Sequence, residues 1–378
     1  MSKRDTLLCT VGTSLFEANI SRLSETTQDA PNNWKSIKEA YDERNWNKLA
    51  DELLKVDASS RLCGAEINTI EEIKKKKWIS LENIIFLVSD TDTGRNTGEF
   101  LKAYFERRKD PKLKNIEYQI VERLQDKNPV DFKIYGLRNL VREMGKYIVR
   151  RGGSDYIAID ATGGYKAQIA IAVIVGQALN IPVFYKHEKF SEIIDFPPLP
   201  ISFDYDILGE NADLLADFER GEALSQDELG EFDQRLRVLL SEVVVDGKSV
   251  YELSPIGQVY LEGFRIRNPK PVNLEKAEKK EEPSFSEHHY PKEFKEFVRK
   301  VCSETPWIIT AGSLPYEGQR SIKGISFYVD KRDGRRYLVG TYRDKSGFGA
   351  RFWIRITDES PLALTWAAEY LNRKYRSH

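Results

Sequence analysis

Hydroxyl groups, glycines and a lysine are concentrated in two short stretches, CTVGTS at residues 9–14 and DATGGYK at residues 160–166. Each stretch follows an apolar run and leads into a segment with helical spacing. A loop between a strand and a helix presents free backbone N–H groups and the positive end of the helix dipole, so it attracts phosphate. The two stretches therefore predict a phosphate- or nucleotide-binding crevice. Its candidate contacts are Thr10, Gly12, Thr13, Ser14, Thr162, Gly163, Gly164, Tyr165 and Lys166.

A third stretch, SDTDTGRN at residues 89–96, also follows an apolar run. It offers hydroxyl groups and a guanidinium to the same crevice, from Ser89, Thr91 and Arg95. The alternative for each stretch by itself is an ordinary tight turn or helix cap. The spacings Gly-x-Gly-x-x-Gly and Gly-x-x-x-x-Gly-Lys-Ser/Thr do not occur in the chain, so neither of these two common nucleotide-binding fingerprints is present.

Strands and helices alternate over the first two hundred residues. Strands are predicted at 7–11, 83–89, 116–122, 156–160 and 182–186, and helices at 33–56, 97–108, 129–150 and 165–179. Continuous apolar strands separated by helices of this length predict an α/β domain with a doubly wound parallel sheet, over residues 1–205. Ligands of such folds bind beyond the carboxyl ends of the strands, at the topological switch point, so the predicted loops can converge there.

The composition of the whole chain is that of a globular protein. Its 378 residues are enough for two or three domains, with 40% hydrophobic residues, 31% charged residues and a formal net charge of −1. No apolar run is long enough to span a membrane. The three cysteines are widely spaced, which predicts a reducing cytoplasm and no disulfide framework. With four histidines in the chain, we expect no metal site and no cofactor.

The middle segment, residues 206–267, predicts a winged-helix-like connector. Ser225 and Glu228 have the spacing of a capping box, and apolar residues continue at helical spacing through 231–244. A turn follows, and Ser254 then precedes a second helix. The alternative is a helical connector that only packs on the first domain. The local charge is acidic or mixed, which argues against DNA reading.

Residues 268–285 are charged and flanked by prolines, which predicts a linker and a domain boundary. The remaining residues, 286–378, predict a small α+β domain. A helix at 290–303 precedes an apolar stretch, three antiparallel strands at 324–330, 335–343 and 350–357, and a helix at 362–375. Between residues 319 and 378 there are 13 Lys and Arg against 6 Asp and Glu. This basic surplus on a nearly neutral chain predicts a nucleic-acid partner.

Strand alternation sorts the basic residues of this domain. Phe352, Ile354 and Ile356 are predicted to face the core, which places Arg351, Trp353 and Arg355 on the other side. Such a face suits RNA, because arginines bind phosphate and an indole stacks on bases. The catalytic candidates are Tyr342, Arg343, Lys345, Arg351, Arg355 and Tyr375, and the RNA-binding candidates are Arg335, Arg336, Trp353 and Arg373. The alternative is a solvated basic face.

These candidates could cut RNA without a metal ion if the 2′-hydroxyl attacks the neighbouring phosphate. Arginines would stabilise the phosphorane charge, and a lysine among other cations, with a lowered pKa, could act as base. Tyr342 or Tyr375 would stack on a base or move a proton.

Residues 1–205 resemble a CARF domain, the Rossmann-like sensor of type III CRISPR systems. The resemblance lies in the segments at 10–14 and 160–168 and in GAEIN at 64–68. It implies a homodimer that binds a cyclic oligoadenylate, most often the four-adenylate ring, across its two-fold axis. Binding would activate an output domain. The resemblance also leaves open that the CARF domain cleaves its own ligand, with Lys166 and Ser14 placed to help.

The C-terminal residues fit poorly the motifs of several output domains found in CARF proteins, namely the Arg-x4-His ribonuclease, the PD-(D/E)xK nuclease and the zinc deaminase. The order of elements and the basic, aromatic composition over 288–378 resemble RelE-type mRNA interferases instead. This resemblance implies cleavage of mRNA on the ribosome, gated by cyclic oligoadenylate. The alternative is a CARF-type transcriptional regulator with a winged helix, whose basic tail contacts DNA.

Overall fold

The computed structural model describes residues 4–110, 112–187, 190, 192–201, 203–229, 233–286, 289–315, 322–332 and 334–376. The chain divides into two compact units. The first unit is Met1–Ser202 with Ser254–Ile266, and the second unit is Phe203–Leu253 with Arg267–His378. The chain therefore leaves and re-enters each unit, and we describe each unit separately.

The strands are β1 (Thr6–Thr10), β2 (Asn83–Ser89), β3 (Asn115–Val121), β4 (Ile157–Asp160), β5 (Val183–Tyr185), β6 (Ile194–Phe196), β7 (Leu224–Ser225), β8 (Leu240–Val245), β9 (Lys248–Leu253), β10 (Ile308–Ser313), β11 (Ser326–Arg332), β12 (Arg335–Arg343) and β13 (Gly349–Ile356). The α-helices are α1 (Trp34–Asp42), α2 (Trp46–Leu53), α3 (Gly64–Lys76), α4 (Asp92–Arg107), α5 (Pro129–Asp131), α6 (Leu137–Arg150), α7 (Lys166–Leu179), α8 (Asp206–Glu210), α9 (Ala212–Glu219), α10 (Gln226–Leu229), α11 (Pro255–Arg267), α12 (Phe294–Glu304) and α13 (Pro361–Tyr375). Among the described residues, no helix has both the length and the apolar character needed to cross a membrane.

The sheet of the first unit has the strand order β3-β2-β1-β4-β5-β6. Strands β1 to β5 pair in parallel, and β6 joins β5 in the antiparallel direction. The central strands β1, β2 and β4 are buried along their whole length, as expected for a sheet covered on both faces. The prediction of a mixed α/β domain with a parallel sheet is confirmed. Because β1 lies between β2 and β4, the strand order reverses direction at β1 and β4, which form the switch point.

Two helices of the first unit differ from the prediction at 33–56. The structure has α1 and α2 there, separated at Arg44, whose φ of 52° lies in the left-handed region. Asn45 then caps α2 by accepting a hydrogen bond from the Lys48 N–H at 3.0 Å. The asparagine cap outweighs the helical spacing on either side of it. Further along, the predicted helix at 129–150 is interrupted by a π-helical turn, Phe132–Gly136.

The small sheet of the second unit has the order β7-β9-β8 and overturns part of the prediction. The predicted helix over 231–244 is wrong where the structure describes it, because Gln234–Leu239 is a 3₁₀ turn and β8 follows. The valines of β8 favour a strand, and Asp246 and Gly247 both have positive φ, which makes a hairpin turn. The predicted capping box is present: the Ser225 N–H donates to Glu228 Oε2 at 2.8 Å.

The larger sheet of the second unit is antiparallel, in the order β10-β13-β12-β11. Its first strand corresponds to the apolar stretch predicted after the first helix of this region. Helices α12 and α13 pack on one face, where Phe294, Val298 and Leu371 share a core with Phe327 and Phe352. The order of helix, antiparallel strands and helix agrees with the predicted α+β arrangement.

The segment 268–285 is not the free linker that its charge predicted. Leu274 belongs to the core of the second unit, and Ala277 is also buried. The Glu281 N–H donates to Ile309 O at 2.9 Å, and the Ser284 N–H donates to Ala311 O at 3.0 Å. The segment therefore runs beside β10, whose edge supplies backbone partners that a charged sequence cannot supply for itself.

The predicted connector 206–267 is also divided between the two units. Its residues up to Leu253 belong to the second unit, and Ser254–Ile266 belong to the first. Within the first unit, Arg142 on α6 donates to Gln258 on α11 at 3.0 Å. The helix that the sequence assigned to the connector therefore packs with the parallel sheet's helices.

Candidate functional site

The loops after β1 and β4 meet at the switch point of the parallel sheet. Thr10 Oγ1 donates a hydrogen bond to Gly163 O at 2.6 Å, and both residues are buried. A Cβ atom on Gly12 would lie 2.9 Å from the Gly164 backbone N, which is closer than carbon atoms approach in folded proteins. The structure therefore brings together the two predicted loops, and glycine is required where their backbones touch.

Glu66 on α3 lies beneath these two loops and is 1% exposed. Its Oε1 accepts a hydrogen bond from the Gly12 N–H at 2.9 Å, while its Oε2 is buried without a partner among the described residues. Burial raises the pKa of Glu66, and the hydrogen bond from Gly12 partly offsets that effect. Sequence reasoning had noted the GAEIN segment without assigning Glu66 a role. The signal in the sequence is a carboxylate in the first turn of a helix that begins at a glycine, Gly64.

Asp160 at the end of β4 is a second buried carboxylate, 0% exposed. Its Oδ1 accepts the Thr162 N–H at 3.0 Å, and its Oδ2 has no partner among the described residues. Burial raises the pKa of Asp160 to about 7, opposed by Thr162 and reinforced by the charge of Glu66. Burial and both carboxylates also raise the pKa of the Cys9 thiol, which sits opposite Asp160 in the β1–β4 register.

Three of the predicted hydroxyl contacts are engaged within the protein. Thr10 binds Gly163, as described above. Thr13 Oγ1 donates to Glu17 Oε2 at 2.8 Å, and Thr162 Oγ1 accepts the Lys186 N–H at 3.0 Å. Ser14, by contrast, is exposed. The threonines therefore hold the loops in shape, and Ser14 is the hydroxyl that faces solvent.

Tyr165 and Lys166 present the most accessible groups of the β4 loop. The Tyr165 hydroxyl donates to Asp126 Oδ2 at 2.6 Å, and its ring packs edge-on against Phe132 with centroids 5.2 Å apart. Burial and Asp126 raise the pKa of Tyr165 to about 12. Lys166 is exposed and has no ion pair within the described part of the chain. Asp126 is a site residue that sequence reasoning missed, because it lies on a separate loop.

The third predicted loop follows β2, the neighbour of β1, and its polar groups bind one another. Thr91 Oγ1 accepts the Gly94 N–H at 3.0 Å as the cap of α4, and it lies 2.9 Å from the Ser89 hydroxyl. Arg95 pairs with Asp90 at 2.7 Å. These contacts account for the loop as a helix cap, so its role toward a ligand stays a prediction.

The predicted alternation of β13 is confirmed. Phe352, Ile354 and Ile356 are 0%, 3% and 2% exposed and belong to the core of the second unit. Arg351, Trp353 and Arg355 lie on the other face of the strand, which we call the arginine face of the sheet. Arg351 is only 7% exposed, whereas Arg355 is exposed and pairs with Glu281 at 3.5 Å.

The two candidate tyrosines lie on the opposite side of the sheet from the arginine face. Phe297 on α12 packs against Tyr342 and Tyr375, with ring centroids 5.0 Å and 6.0 Å apart. Burial and nearby carboxylates raise the pKa of Tyr342. Tyr375 donates to Glu304 Oε2 at 3.0 Å, and burial raises its pKa. A sheet separates these hydroxyl groups from Arg351 and Arg355, so the six catalytic candidates do not form one cluster.

Arg343 and Arg351 lie close together at one end of the arginine face. Their strands pair Thr341 with Arg351 and Arg343 with Gly349, so the two arginines are diagonal neighbours, about 7–8 Å apart and somewhat closer at Cβ. Arg343 Nε donates to Gly347 O at 2.9 Å, across the turn that carries exposed Lys345. This end of the sheet combines two guanidinium groups and an ammonium group.

The remaining RNA-binding candidates are spread over the second unit. Arg335 and Arg336 open β12, a strand of nine residues, so they lie about 24–27 Å from Arg343. Arg336 pairs with both carboxylate oxygens of Asp206, at 2.9 and 2.5 Å, and Arg373 pairs with Glu369 at 2.8 Å. Trp353 is half-buried, and its indole lies across the backbone of Gly312. Arg335, Arg336 and Arg373 do not form one site with Arg343 and Arg351, whereas Trp353 lies beside Arg351 on the arginine face.

Within the described residues, no group of three or more His, Cys, Asp or Glu side chains could hold a metal ion.

Part of the first unit is similar to a family of CRISPR-associated proteins. Residues 61–199 match a family model described as "CRISPR-associated protein (Cas_APE2256)". The matched segment includes Glu66, Asp160 and the β4 loop. The match supports a CRISPR association for this chain.

Two curated relatives match a shorter part of the chain. An inosose dehydratase of Clostridium botulinum (strain Eklund 17B / Type B) is 33% identical over 103 residues, which cover 24% of this chain and 35% of that protein. An inosose dehydratase of Clostridium botulinum (strain Alaska E43 / Type E3) is 32% identical over 100 residues, covering 23% and 34%. The chain spans about a third of the length of these relatives.

Proposed function

We propose that this chain is a cyclic-oligoadenylate-activated, metal-independent endoribonuclease in CRISPR antiviral defence, which cuts mRNA on the ribosome. The observation that carries the proposal is the meeting of the β1 and β4 loops at the switch point of the parallel sheet. The CRISPR-associated family match over 61–199 supports it, because that match includes one of the two loops.

The ligand part of the proposal follows from the exposed groups of the loops. Ser14, Tyr165 and Lys166 face solvent, and Lys166 stands at the N-terminus of α7, where backbone N–H groups favour an anion. A cyclic oligoadenylate repeats the same phosphate and base around a ring. A homodimer with an isologous interface would offer the same loops twice to such a ring. The Tyr165 ring would stack on adenine, and Lys166 would bind phosphate.

The cleavage part of the proposal uses the arginine face. The RNA 2′-hydroxyl attacks the adjacent phosphorus and loses its proton to the neutral amine form of Lys345, while the bond to the 5′-oxygen breaks and that oxygen takes up a proton from water. The products are a 2′,3′-cyclic phosphate and a 5′-hydroxyl. Arg343, Arg351 and Arg355 would stabilise the charge that develops on the phosphorane oxygens. Trp353 would stack on a base, and Tyr342 and Tyr375, on the opposite side of the sheet, would support the strand by packing.

A second candidate is a transcriptional regulator controlled by the same ligand. The strand order β7-β9-β8 and the β8–β9 hairpin favour it, since a winged helix contains such a sheet. Charge opposes it, because Arg235 pairs with Asp233 and Glu210, and Arg237 pairs with Glu242. A DNA-reading module needs arginines that are available to phosphate.

The test is a translation reaction with a defined mRNA, run with and without cyclic tetra- or hexa-adenylate. The same mRNA without ribosomes, with and without EDTA, forms the second arm. Ligand-dependent cuts on ribosome-bound message, ending in 2′,3′-cyclic phosphate, would support the proposal. No cuts in either arm, together with tight ligand binding, would reject the ribonuclease and favour the regulator.

The ligand site itself is tested by Lys166→Ala, with Lys112→Ala as a control that removes an exposed lysine far from the loops in sequence. We expect Lys166→Ala to abolish activation by cyclic oligoadenylate without changing the fold or the oligomeric state. The measurements are mRNA cleavage, ligand titration and size-exclusion chromatography. Unchanged affinity of Lys166→Ala for every ring size would remove this loop from the site.

A further inference from the structure

Two buried carboxylates lie directly under the loops that are proposed to bind an anion. Glu66 and Asp160 are 1% and 0% exposed. Each accepts one backbone N–H from a loop, Gly12 for Glu66 and Thr162 for Asp160, and each keeps a second oxygen buried without a partner among the described residues. Burying an ionised carboxylate without a cation is costly, so a protein gains little stability from such a pair.

The hydrogen bond from Gly12 to Glu66 conflicts with the binding of a phosphate at the same loop. The Gly12 N–H is one of the donors that a loop of this kind offers to a phosphate. In this structure the Glu66 carboxylate, itself an oxyanion, already accepts it at 2.9 Å. A Cβ atom on Gly163 would overlap Glu66 Oε1 and lie 2.8 Å from the Gly12 N. The loops and the carboxylate therefore leave no space between them for an additional phosphate oxygen.

We propose that Glu66 is an internal competitor of the ligand phosphate, which releases the Gly12 N–H when the ligand binds, while the Glu66–Asp160 pair takes up a proton. Glu66 is thus a positioning residue that acts through the Gly12 backbone. This inference rests on the proposed function to the extent that it assumes an anionic ligand at these loops.

The surroundings of the pair determine the direction of proton movement. Cys9 on β1 faces both Asp160 on β4 and Glu66 on α3, and none of these three groups carries a positive charge. On neighbouring elements, Glu17 binds Thr13 and Lys186 binds Glu72, while Gln168 on α7 is uncharged. Burial already raises the pKa values of both carboxyls. An incoming phosphate adds negative charge and raises them further, so ligand binding takes up protons and weakens as the pH rises.

The experiment is isothermal titration calorimetry of the full chain with cyclic tetra-adenylate and, separately, with inorganic phosphate. Titrations at pH 6, 7 and 8 in two buffers of different ionisation enthalpy give the affinity and the number of protons taken up. For the wild-type chain we expect up to one proton per ligand site and an affinity that falls by up to tenfold per pH unit. The wild-type measurement needs no variant, so it decides the proposal even if a substituted chain fails to fold.

Glu66→Gln tests the assignment to this residue. The amide removes the competing charge and cannot titrate, so at pH 8 this variant should bind several-fold more tightly than the wild type and take up fewer protons. Glu39→Gln is the matched control, because it removes one negative charge from an exposed position on α1. It should behave as the wild type does. A merely structural role of Glu66 would change stability without changing the pH profile of binding.

The outcomes separate this inference from the proposed function. Cyclic tetra-adenylate binding that is independent of pH and exchanges no protons would overturn the inference and leave the proposed function standing. Phosphate binding with proton uptake, without binding of any cyclic oligoadenylate, would reject the proposed function and support the inference. Failure of both probes to bind the wild type and Glu66→Gln would overturn both.

Discussion

At the residue scale, the candidate ligand site depends on backbone contacts that only glycine allows. Gly12, Gly163 and Gly164 bring two loops from distant parts of the sequence to within hydrogen-bonding distance. The shape of the loops is therefore fixed by the backbone and by the hydroxyl groups of Thr10 and Thr162, which make hydrogen bonds to other parts of the protein backbone. The side chains that face solvent can therefore adjust to a ligand while the backbone of the two loops keeps its position.

Gly12→Ala is the first residue-scale prediction. The added Cβ would lie 2.9 Å from the Gly164 N, so the loops must move apart. We expect a loss of about 1–3 kcal/mol in the free energy of unfolding and at least tenfold weaker ligand binding. Gly324→Ala is the control, because Gly324 has open space at its Cβ position and no left-handed φ. Urea denaturation and ligand titration measure both effects, and equal behaviour of the two variants would contradict the contact.

Asp160→Asn tests the buried carboxylate through stability. Burial raises the pKa of Asp160 to about 7, whereas the pKa of an aspartate in an unfolded chain is about 3.9. The folded state therefore holds the proton more tightly, and the free energy of unfolding falls as the pH rises from about 4 to about 7.

The amide cannot ionise, so Asp160→Asn should be more stable than the wild type by about 1–3 kcal/mol at pH 8, and the difference should shrink toward pH 5. Thermal unfolding across this pH range measures the effect. A variant that is less stable than the wild type at pH 8 would contradict this prediction.

At the element scale, the segment 268–285 changes the division of the chain. Its backbone runs beside β10, and its Leu274 side chain packs in the core of the second unit. Its lysines and glutamates are exposed, and one of them, Lys280, donates a hydrogen bond to Thr305 O at 2.9 Å. The composition of a linker is thus compatible with an ordered edge, because the hydrogen bonds are made by the backbone.

Leu274→Ala is the prediction for this segment. Leu274 is 0% exposed, so its truncation should destabilise the second unit by about 2–5 kcal/mol. Val272→Ala is a matched control two residues away, since Val272 is 86% exposed, and it should leave stability unchanged. Chemical denaturation and limited proteolysis of the full chain measure both. Equal stability of the two variants would show that the segment does not contribute to the core.

At the scale of the whole molecule, the two kinds of chemistry belong to different units. The glycine-rich loops and the buried carboxylates lie in the first unit, and the arginine face lies in the second. If the ligand controls cleavage, it does so by binding one state of the molecule more tightly than another, since equal affinity would shift nothing. The proposed function therefore predicts that ligand binding and RNA cleavage can be removed separately.

The double variant Arg351→Ala with Arg355→Ala should lose mRNA cleavage by at least a hundredfold while it binds cyclic tetra-adenylate as the wild type does. The physical reason is the loss of the guanidinium groups that would stabilise the phosphorane charge. Arg332→Ala is the control, because Arg332 is an exposed arginine of the same sheet that pairs with Asp330. Full residual cleavage by the double variant would move the active site elsewhere.

The amino-acid sequence by itself determined the parallel sheet of the first unit, the alternation of β13 and the capping box at Ser225. These features depend on local sequence patterns: continuous apolar runs for the buried strands, alternating apolar residues for β13, and the spacing of Ser225 and Glu228 for the cap. The helix predicted over 231–244 failed for a related reason, since a 3₁₀ turn and a valine-rich strand share apolar positions with a helix.

Tertiary structure alone decided which side chains meet. Glu66 is 94 residues from Asp160 in the chain, and no local pattern shows that both carboxylates lie beneath one pair of loops. The separation of Tyr342 and Tyr375 from Arg351 likewise follows from the two sides of a sheet, and the place of segment 268–285 follows from the free edge of β10. Such contacts join residues far apart in the chain, and their energy comes from packing and backbone pairing that form only when the whole unit folds.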